Sequence, residues 1–210
     1  MDLFILVIEI IGTVAFSVSG AMIAIKKNMD VFGVMILGLT TAVGGGIIRD
    51  LILGLTPPMA FRNPVYALVA LATAALVFPV KVRRLFQRFE YFYEHTLMIM
   101  DTVGLAIFTV VGVRGAVVRS MDESYFLLLF VGVITGVGGG VLRDVLAGYL
   151  PYIFVKHIYA CASLAGCVVC VLLWNVAGEA AAMIAGAAVV LVIRFLSAHY
   201  RWSLPRAKTE

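Results

Sequence analysis

Charged residues are scarce in this sequence. They make up 13% of the 210 residues, and 63% of the residues are hydrophobic, whereas a soluble domain has about 25% charged and roughly 45–50% apolar residues. The mean hydropathy of +1.08 agrees with this imbalance. The composition therefore excludes a soluble globular protein and predicts an all-α membrane protein that crosses the bilayer several times.

Motifs for metal binding and catalysis are missing as well. Cys161, Cys167 and Cys170 share one apolar run without the spacing or the histidine partners of a zinc site. The chain has no Walker motif, no nucleophile elbow and no His-Glu-x-x-His pattern. We therefore expect no enzymatic activity, no cofactor and no metal. The net charge of +4 comes from basic residues in short loops, where lipid headgroups and topology explain them better than nucleic acid does.

Apolar runs divide the chain into seven predicted transmembrane helices of about 20 residues each. They cover residues 3–25, 31–53, 63–80, 95–113, 125–147, 152–174 and 178–196. Together they form a single integral-membrane domain, residues 1–198, which precedes a polar tail, residues 199–210. Residues 81–88 interleave basic and apolar side chains, which predicts an amphipathic stretch in contact with membrane lipid.

Spans one to three recur as spans four to six. The segment Gly-Gly-Gly-Ile-Ile-Arg-Asp at residues 44–50 returns as Gly-Gly-Gly-Val-Leu-Arg-Asp at residues 138–144. In the first span of each half, Glu9 matches Asp101 and Ser17 matches Thr109 at an offset of 92 residues. Repeat one covers residues 3–80, repeat two covers residues 95–174, and the seventh helix, residues 178–196, has no counterpart.

An odd number of spans per repeat predicts that the second repeat enters the membrane in the opposite direction, so that the two repeats are inverted. With the N-terminus outside, ten Lys and Arg residues fall in inner loops and three fall in outer loops, not counting three within spans or at their boundaries. The positive-inside rule then places the N-terminus outside and the C-terminus in the cytoplasm. We expect the protein to lie in the cell (inner) membrane.

The triple glycines have two explanations. Small residues every four positions, as at Gly38, Ala42 and Gly46, let helix backbones touch. This does not account for the glycines between them, each of which weakens a helix by about 1 kcal/mol relative to alanine. We therefore expect spans two and five to be interrupted at residues 44–46 and 138–140, where freed carbonyl groups could bind cations near the membrane midplane.

An Arg-Asp pair follows each triple glycine, and charged residues are costly within a membrane. Each pair could form locally, with its arginine reaching the interface, or the pairs could cross between repeats. In either case they are expected to shape a polar pathway. The candidate pathway residues are Gly44, Gly45, Gly46, Arg49, Asp50, Gly138, Gly139, Gly140, Arg143 and Asp144, extended by Ser17, Thr109 and Asp101.

Repeat one contains further motifs: Ser19-Gly20-Ala21, Asp30-x-Phe32-Gly33, Thr41-Ala42-x-Gly44-Gly45-Gly46-x-x-Arg49-Asp50 and Pro57-Pro58. With the doubled glycine motif, they resemble the prokaryotic TRIC (trimeric intracellular cation channel) family, also labelled a glycine-transporter domain family. The resemblance implies a seven-span protomer with two inverted three-helix repeats and a final helix. It also implies a homotrimer with one monovalent-cation pore per protomer, kinked at the glycines of spans two and five. The Lys-Glu-Val signature of animal members is not evident, so their lipid regulation is not carried over.

Two classes of function remain open at this point. A channel for monovalent cations, K⁺ in particular and otherwise Na⁺, needs a continuous wet path. A secondary transporter of a small solute such as glycine needs a closed midplane site with alternating gates. Broken helices would serve both.

Overall fold

The computed structural model describes residues 3–79, 90–119, 124–155 and 158–202, and nine helices lie within these ranges. Six of them are long and apolar enough to cross a membrane. The helices are α1 (Leu3–Lys26), α2 (Val31–Ile52), α3 (Met59–Arg62), α4 (Val65–Val77), α5 (Glu90–Arg119), α6 (Tyr125–Leu146), α7 (Tyr152–Val155), α8 (Tyr159–Ala177) and α9 (Glu179–His199).

The predicted third span is shorter than expected. α4 has 13 residues, about 20 Å of helix, whereas the hydrocarbon core of a bilayer is about 30 Å thick. Pro64 occupies its N-cap position, and the backbone of Asn63 just before it is extended, as is usual before proline. The all-helical membrane fold is confirmed, with six helices of spanning length in the described ranges. The predicted amphipathic stretch at residues 81–88 and most of the polar tail lie outside those ranges.

The two repeats end their second long helix in the same way. Gly54 and Gly148 have φ angles of 71° and 69°, in the left-handed region that glycine adopts without strain. The chain then turns back, so that Leu55 N–H donates to the Asp50 carbonyl oxygen at 2.8 Å and Tyr149 N–H to that of Asp144 at 2.8 Å. This turn places the next short helix, α3 or α7, beside the Arg-Asp pair.

The predicted helix breaks are not confirmed. α2 is helical from Val31 to Ile52 and α6 from Tyr125 to Leu146, straight through both triple glycines. Because both segments are helical throughout, the structure shows no unwound stretch there that would offer carbonyl groups to an ion. The cost of glycine in a helix is offset by close packing between α2 and α6 instead.

That packing is reciprocal. A Cβ atom on Gly45 would lie 2.2 Å from the Thr135 carbonyl oxygen, and one on Gly139 would lie 2.1 Å from the Thr41 carbonyl oxygen. Since the equivalent residue on each helix meets the equivalent carbonyl on the other, a local twofold relation links the two repeats. Only glycine permits this approach, because any side chain would collide with the opposing backbone.

α1, α2, α5 and α6 form the centre of the protein. α1 packs on α2 and α5, and α6 packs on α2 and α5. Phe16 of α1 and Phe108 of α5, which match in the repeat, stack with their ring centroids 5.3 Å apart. α4 lies against α1 and α2 as α8 lies against α5 and α6, whereas α9, outside the repeats, packs on α8 and α5.

Candidate functional site

A cavity of about 200 Å³ lies at the end of the protein where α2 and α5 end and α1 begins. Its walls combine apolar side chains with both signs of charge. Glu9 and Asp50 contribute carboxylates, and Arg49 contributes a guanidinium group whose side chain is 15% exposed. The other lining residues include Thr13, Ala42, Gly46, Asn63, Tyr66, Phe108, Val111, Arg114 and Arg119. We call this space the first cavity.

Within the first cavity, Arg49 pairs with its own neighbour. Its Nε donates to Asp50 Oδ1 at 2.9 Å, and its Nη2 lies 2.9 Å from the same oxygen. The other carboxylate oxygen of Asp50 accepts the Met59 backbone N–H at 2.8 Å. Asp50 therefore neutralises the arginine and ties the start of α3 to the end of α2.

The matching arginine of repeat two has a different environment. Arg143 is completely buried. Its Nε donates to Asp144 Oδ1 at 2.8 Å, and its Nη1 donates to Asp101 Oδ1 at 2.6 Å and to Ser19 Oγ at 2.5 Å. We call these four residues the Arg143 cluster. Arg49 and Arg143 each pair with the aspartate that follows in the sequence. The crossed pairing between the two repeats that the sequence also allowed is therefore wrong.

Two carboxylates surround one guanidinium group in the Arg143 cluster, so removing any one of these three charges leaves another buried charge unbalanced. Burying an ion pair costs several kcal/mol per ion, and only close, well-hydrogen-bonded geometry repays this. Asp144 is further satisfied by the Tyr152 backbone N–H at 2.9 Å, as Asp50 is by Met59. The cluster is thus a compact group of charges buried within the protein.

A second cavity, of about 230 Å³, lies at the opposite end of α1 and α5. Lys26 and Glu94 form an ion pair there at 3.2 Å, and three tyrosines form its aromatic walls. One of these, Tyr152, places its ring 5.2 Å from the Arg143 guanidinium carbon. The Arg143 cluster therefore borders the second cavity. The lining residues are Ile23, Lys26, Tyr93, Glu94, Leu97, Tyr149, Leu150 and Tyr152.

Comparisons with known proteins agree with this duplicated arrangement. A family model described as glycine transporter matches the chain twice, over residues 6–81 and 98–175. The UPF0126 membrane protein of Deinococcus radiodurans is 38% identical over 200 residues, covering 94% of this chain and 89% of that protein. The UPF0126 inner membrane protein YadS of Escherichia coli is 38% identical over 203 residues, covering 94% and 93%.

Solved structures decide the family. A structure that explains conductance through TRIC cation channels is 35% identical to this chain, covers 97% of both chains and superposes with a TM-score of 0.83. The chain belongs to the TRIC family. A TRIC trimeric intracellular cation channel orthologue from Rhodobacter sphaeroides is 33% identical, covers 96% of this chain and 100% of its own, and has a TM-score of 0.86. These relatives are ion channels rather than enzymes.

The structure brings together some of the TRIC-family residues singled out from the sequence and separates others. Arg143, Asp144 and Asp101 meet in one cluster, and Gly140 borders it. Ser17 and Thr109 are fully buried and bond elsewhere: Ser17 Oγ donates to the Ala70 carbonyl oxygen at 2.6 Å, and Thr109 Oγ1 bonds to Ser163 Oγ at 2.7 Å. They join helices to one another and line neither cavity. Gly46 lines the first cavity, and Gly44, Gly45, Gly138 and Gly139 lie in the contact between α2 and α6.

Sequence reasoning missed three polar residues of this TRIC-family site. Ser19 bonds to Arg143, Tyr66 donates its hydroxyl hydrogen to Glu9, and Tyr159 lies beside Gly140. The two tyrosines are 93 residues apart, one residue short of the offset of 94 that relates Gly54 to Gly148, so the repeat indicates their positions only approximately. Ser19 carries no such signal, since the matching residue in repeat two is Val111.

Proposed function

We propose that this chain is a TRIC-family channel that conducts monovalent cations, K⁺ in particular, through one pore in each protomer of a homotrimer. The observation that supports it is the pair of cavities at opposite ends of the central helices, the second of which is bordered by the Arg143 cluster. Ile5 and Glu9 line one cavity, and Ile23 and Lys26 of the same helix line the other. A path that joins the cavities would cross the protein along α1, α2, α5 and α6.

Both cavities contain carboxylates that attract cations. Glu9 and Asp50 present carboxylates to the first cavity beside Arg49, Arg114 and Arg119, and Glu94 presents one to the second, where it pairs with Lys26. Arg49 is neutralised by Asp50, and Arg114 by Glu179 at 2.5 Å. Acidic groups lining the entrances raise the local concentration of cations and lower the barrier to their entry.

Arg143 makes the present conformation a closed one. A buried guanidinium group beside the second cavity repels a cation on such a path and fills space that the ion needs. Opening requires the side chain to leave Ser19 and Asp101, while Asp144, its neighbour in sequence, can move with it. The arginine therefore serves as the gate, and its hydrogen bonds to Ser19 and Asp101 keep the gate closed.

Separate observations support the homotrimer, the orientation in the membrane and the inner-membrane location. The orthologue from Rhodobacter sphaeroides is described as trimeric, and the Escherichia coli relative as an inner membrane protein. The excess of basic residues in alternate loops places the N-terminus outside and the tail in the cytoplasm. Inverted repeats, with α4 as a seventh, shorter span, satisfy this orientation.

Ion flux into proteoliposomes tests the proposal. Vesicles containing the purified protein are expected to take up K⁺ or its analogue Rb⁺ down a gradient, without saturating in the manner of a carrier. Empty vesicles and vesicles loaded with a heat-denatured sample serve as controls. The family model's description favours glycine as the alternative cargo, so labelled glycine is measured in parallel. Saturable glycine uptake without cation flux would replace the channel by a transporter.

A further inference from the structure

The Arg143 cluster contains one more carboxylate than guanidinium groups. Arg143 Nη1 lies 2.6 Å from Asp101 Oδ1, and Arg143 Nε lies 2.8 Å from Asp144 Oδ1. Each of these three residues is at most 1% exposed. One positive and two negative charges give the cluster a net charge of −1, and a net charge is costly to keep away from water. A further positive group is therefore expected close to the two aspartates.

Repeat one holds the matching carboxylate in a different environment. Glu9, which matches Asp101, is partly exposed and lines the first cavity together with Arg114 and Arg119. It also accepts the hydroxyl hydrogen of Tyr66. Water and the arginines of the cavity can balance this carboxylate, whereas Asp101 lines neither cavity. Only repeat two therefore requires a buried counter-ion for its first-helix carboxylate.

Arg194 of α9 is a second buried arginine, at 4% exposed. Its Nε and Nη1 atoms have no hydrogen-bond partner among the described residues, and no ion pair within those ranges includes it. A buried guanidinium group without a bonded carboxylate is as costly within a membrane as an unbalanced carboxylate. Its charge is therefore expected to be balanced by an acidic group that acts from a short distance away.

Tyr159 of α8 lies between Arg194 and Asp101. The Arg194 guanidinium carbon is 4.8 Å from the centroid of the tyrosine ring, and the tyrosine hydroxyl is directed towards the Asp101 carboxylate. Both groups border Gly140, since a Cβ atom there would lie 3.2 Å from the hydroxyl oxygen and 3.8 Å from Asp101 Oδ1. Tyr159 is 3% exposed, so little water screens the two opposite charges on either side of its ring.

We propose that Arg194 is the counter-ion that completes the charge balance of the Arg143 cluster, and that it acts on Asp101 across Tyr159. With Arg194 included, two guanidinium groups face two carboxylates, and the buried set is neutral. α9, which lies outside the repeats, thus supplies the positive charge that repeat two lacks. Neutrality of the buried set does not require the chain to conduct ions.

Arg194→Gln, made in two backgrounds, tests this balance. In the wild type, glutamine leaves two buried carboxylates against one guanidinium group, so the unfolding midpoint of the purified protein in detergent should fall by about 5 °C or more. In the Asp101→Asn variant, Arg143 pairs with Asp144 alone and Arg194 has no carboxylate left to balance. The same change should therefore raise the midpoint in that background.

Arg114→Gln is the control for this pair of measurements. Arg114 lies on α5, as Asp101 does, but it pairs with Glu179 and lines the first cavity. Substitutions at distant sites without shared partners have additive effects on stability. The change in midpoint caused by Arg114→Gln should therefore be the same in the wild type and in Asp101→Asn to within about 2 °C.

The sign of the effect in Asp101→Asn decides the outcome. An equal loss from Arg194→Gln in both backgrounds overturns the balance, because Arg194 would then contribute only by packing on Tyr159. A wild-type midpoint that Arg194→Gln leaves unchanged also overturns it, since one of the aspartates would then be uncharged already. If Asp101→Asn alone does not fold, the yield of folded protein replaces the midpoint: a higher yield from the double variant supports the balance, and an equal or lower yield overturns it.

Discussion

Replacing Arg143 with glutamine is expected to lower the free energy of unfolding by about 3–5 kcal/mol, the range seen when one partner of a buried ion pair is removed. Asp101 and Asp144 are 1% and 0% exposed and would face each other without the cation between them. Glutamine can donate hydrogen bonds but cannot neutralise either carboxylate. Unfolding of the purified protein in detergent measures the loss, and protein that remains folded should show a raised open probability.

Arg49→Gln is the matched control, since it makes the same change at the equivalent position. Arg49 is partly exposed in the first cavity and pairs with one carboxylate, which also keeps its bond to the Met59 N–H. Water in the cavity can solvate Asp50 once the arginine is gone, so the loss of stability should be much smaller. Equal losses in the two variants would contradict the contrast between a buried charge cluster and a cavity-lining ion pair.

Gly139→Ala is expected to destabilise the protein by about 1–3 kcal/mol, the usual cost of forcing extra volume into a packed core. The added Cβ atom would lie 2.1 Å from the Thr41 carbonyl oxygen, which is backbone and cannot rotate away. α2 and α6 would have to separate at the point where the two repeats touch. The unfolding midpoint of the purified protein measures the effect, and Gly45→Ala should reproduce it because the contact is reciprocal.

Gly46→Ala is the control that replaces a glycine of the same motif without creating a steric collision. A Cβ atom there has one neighbour within 4 Å, Arg49 Nη2 at 3.8 Å. Alanine also favours a helix over glycine by about 1 kcal/mol. The variant should therefore be as stable as the wild type or more stable. If Gly46→Ala and Gly139→Ala were equally harmful, helix flexibility rather than packing would explain the triple glycines.

Most of the fold could be predicted from the sequence because it depends on composition and repetition. Apolar runs locate the long helices, and the doubled motif shows that α1 and α2 correspond to α5 and α6. The triple glycines misled the prediction since glycine both weakens a helix and allows close packing. Which effect dominates depends on the group that faces each glycine on the neighbouring helix. Gly45 faces the carbonyl oxygen of Thr135 and Gly139 faces that of Thr41, and these partners are distant in the sequence.

The candidate site could be predicted only in part, because it too depends on contacts between residues that are distant in the sequence. The Arg-Asp motifs are visible in the sequence, but the difference between them comes from other helices. Arg143 reaches Ser19 of repeat one, whereas the position equivalent to Ser19 in repeat two is Val111, which cannot accept a hydrogen bond from Arg49. A single serine in place of valine thus helps to hold one arginine in a buried cluster, whereas the other lines a cavity.

Single-channel recording in a planar bilayer tests the central claim most directly. Purified wild-type protein under a KCl gradient is predicted to give unitary currents that reverse near the K⁺ equilibrium potential, with long closed periods while Arg143 stays bonded to Asp101 and Ser19. Currents that reverse at the chloride potential would contradict a cation pathway lined by Glu9, Asp50 and Glu94. The absence of unitary currents from protein that is folded and inserted would contradict the channel itself.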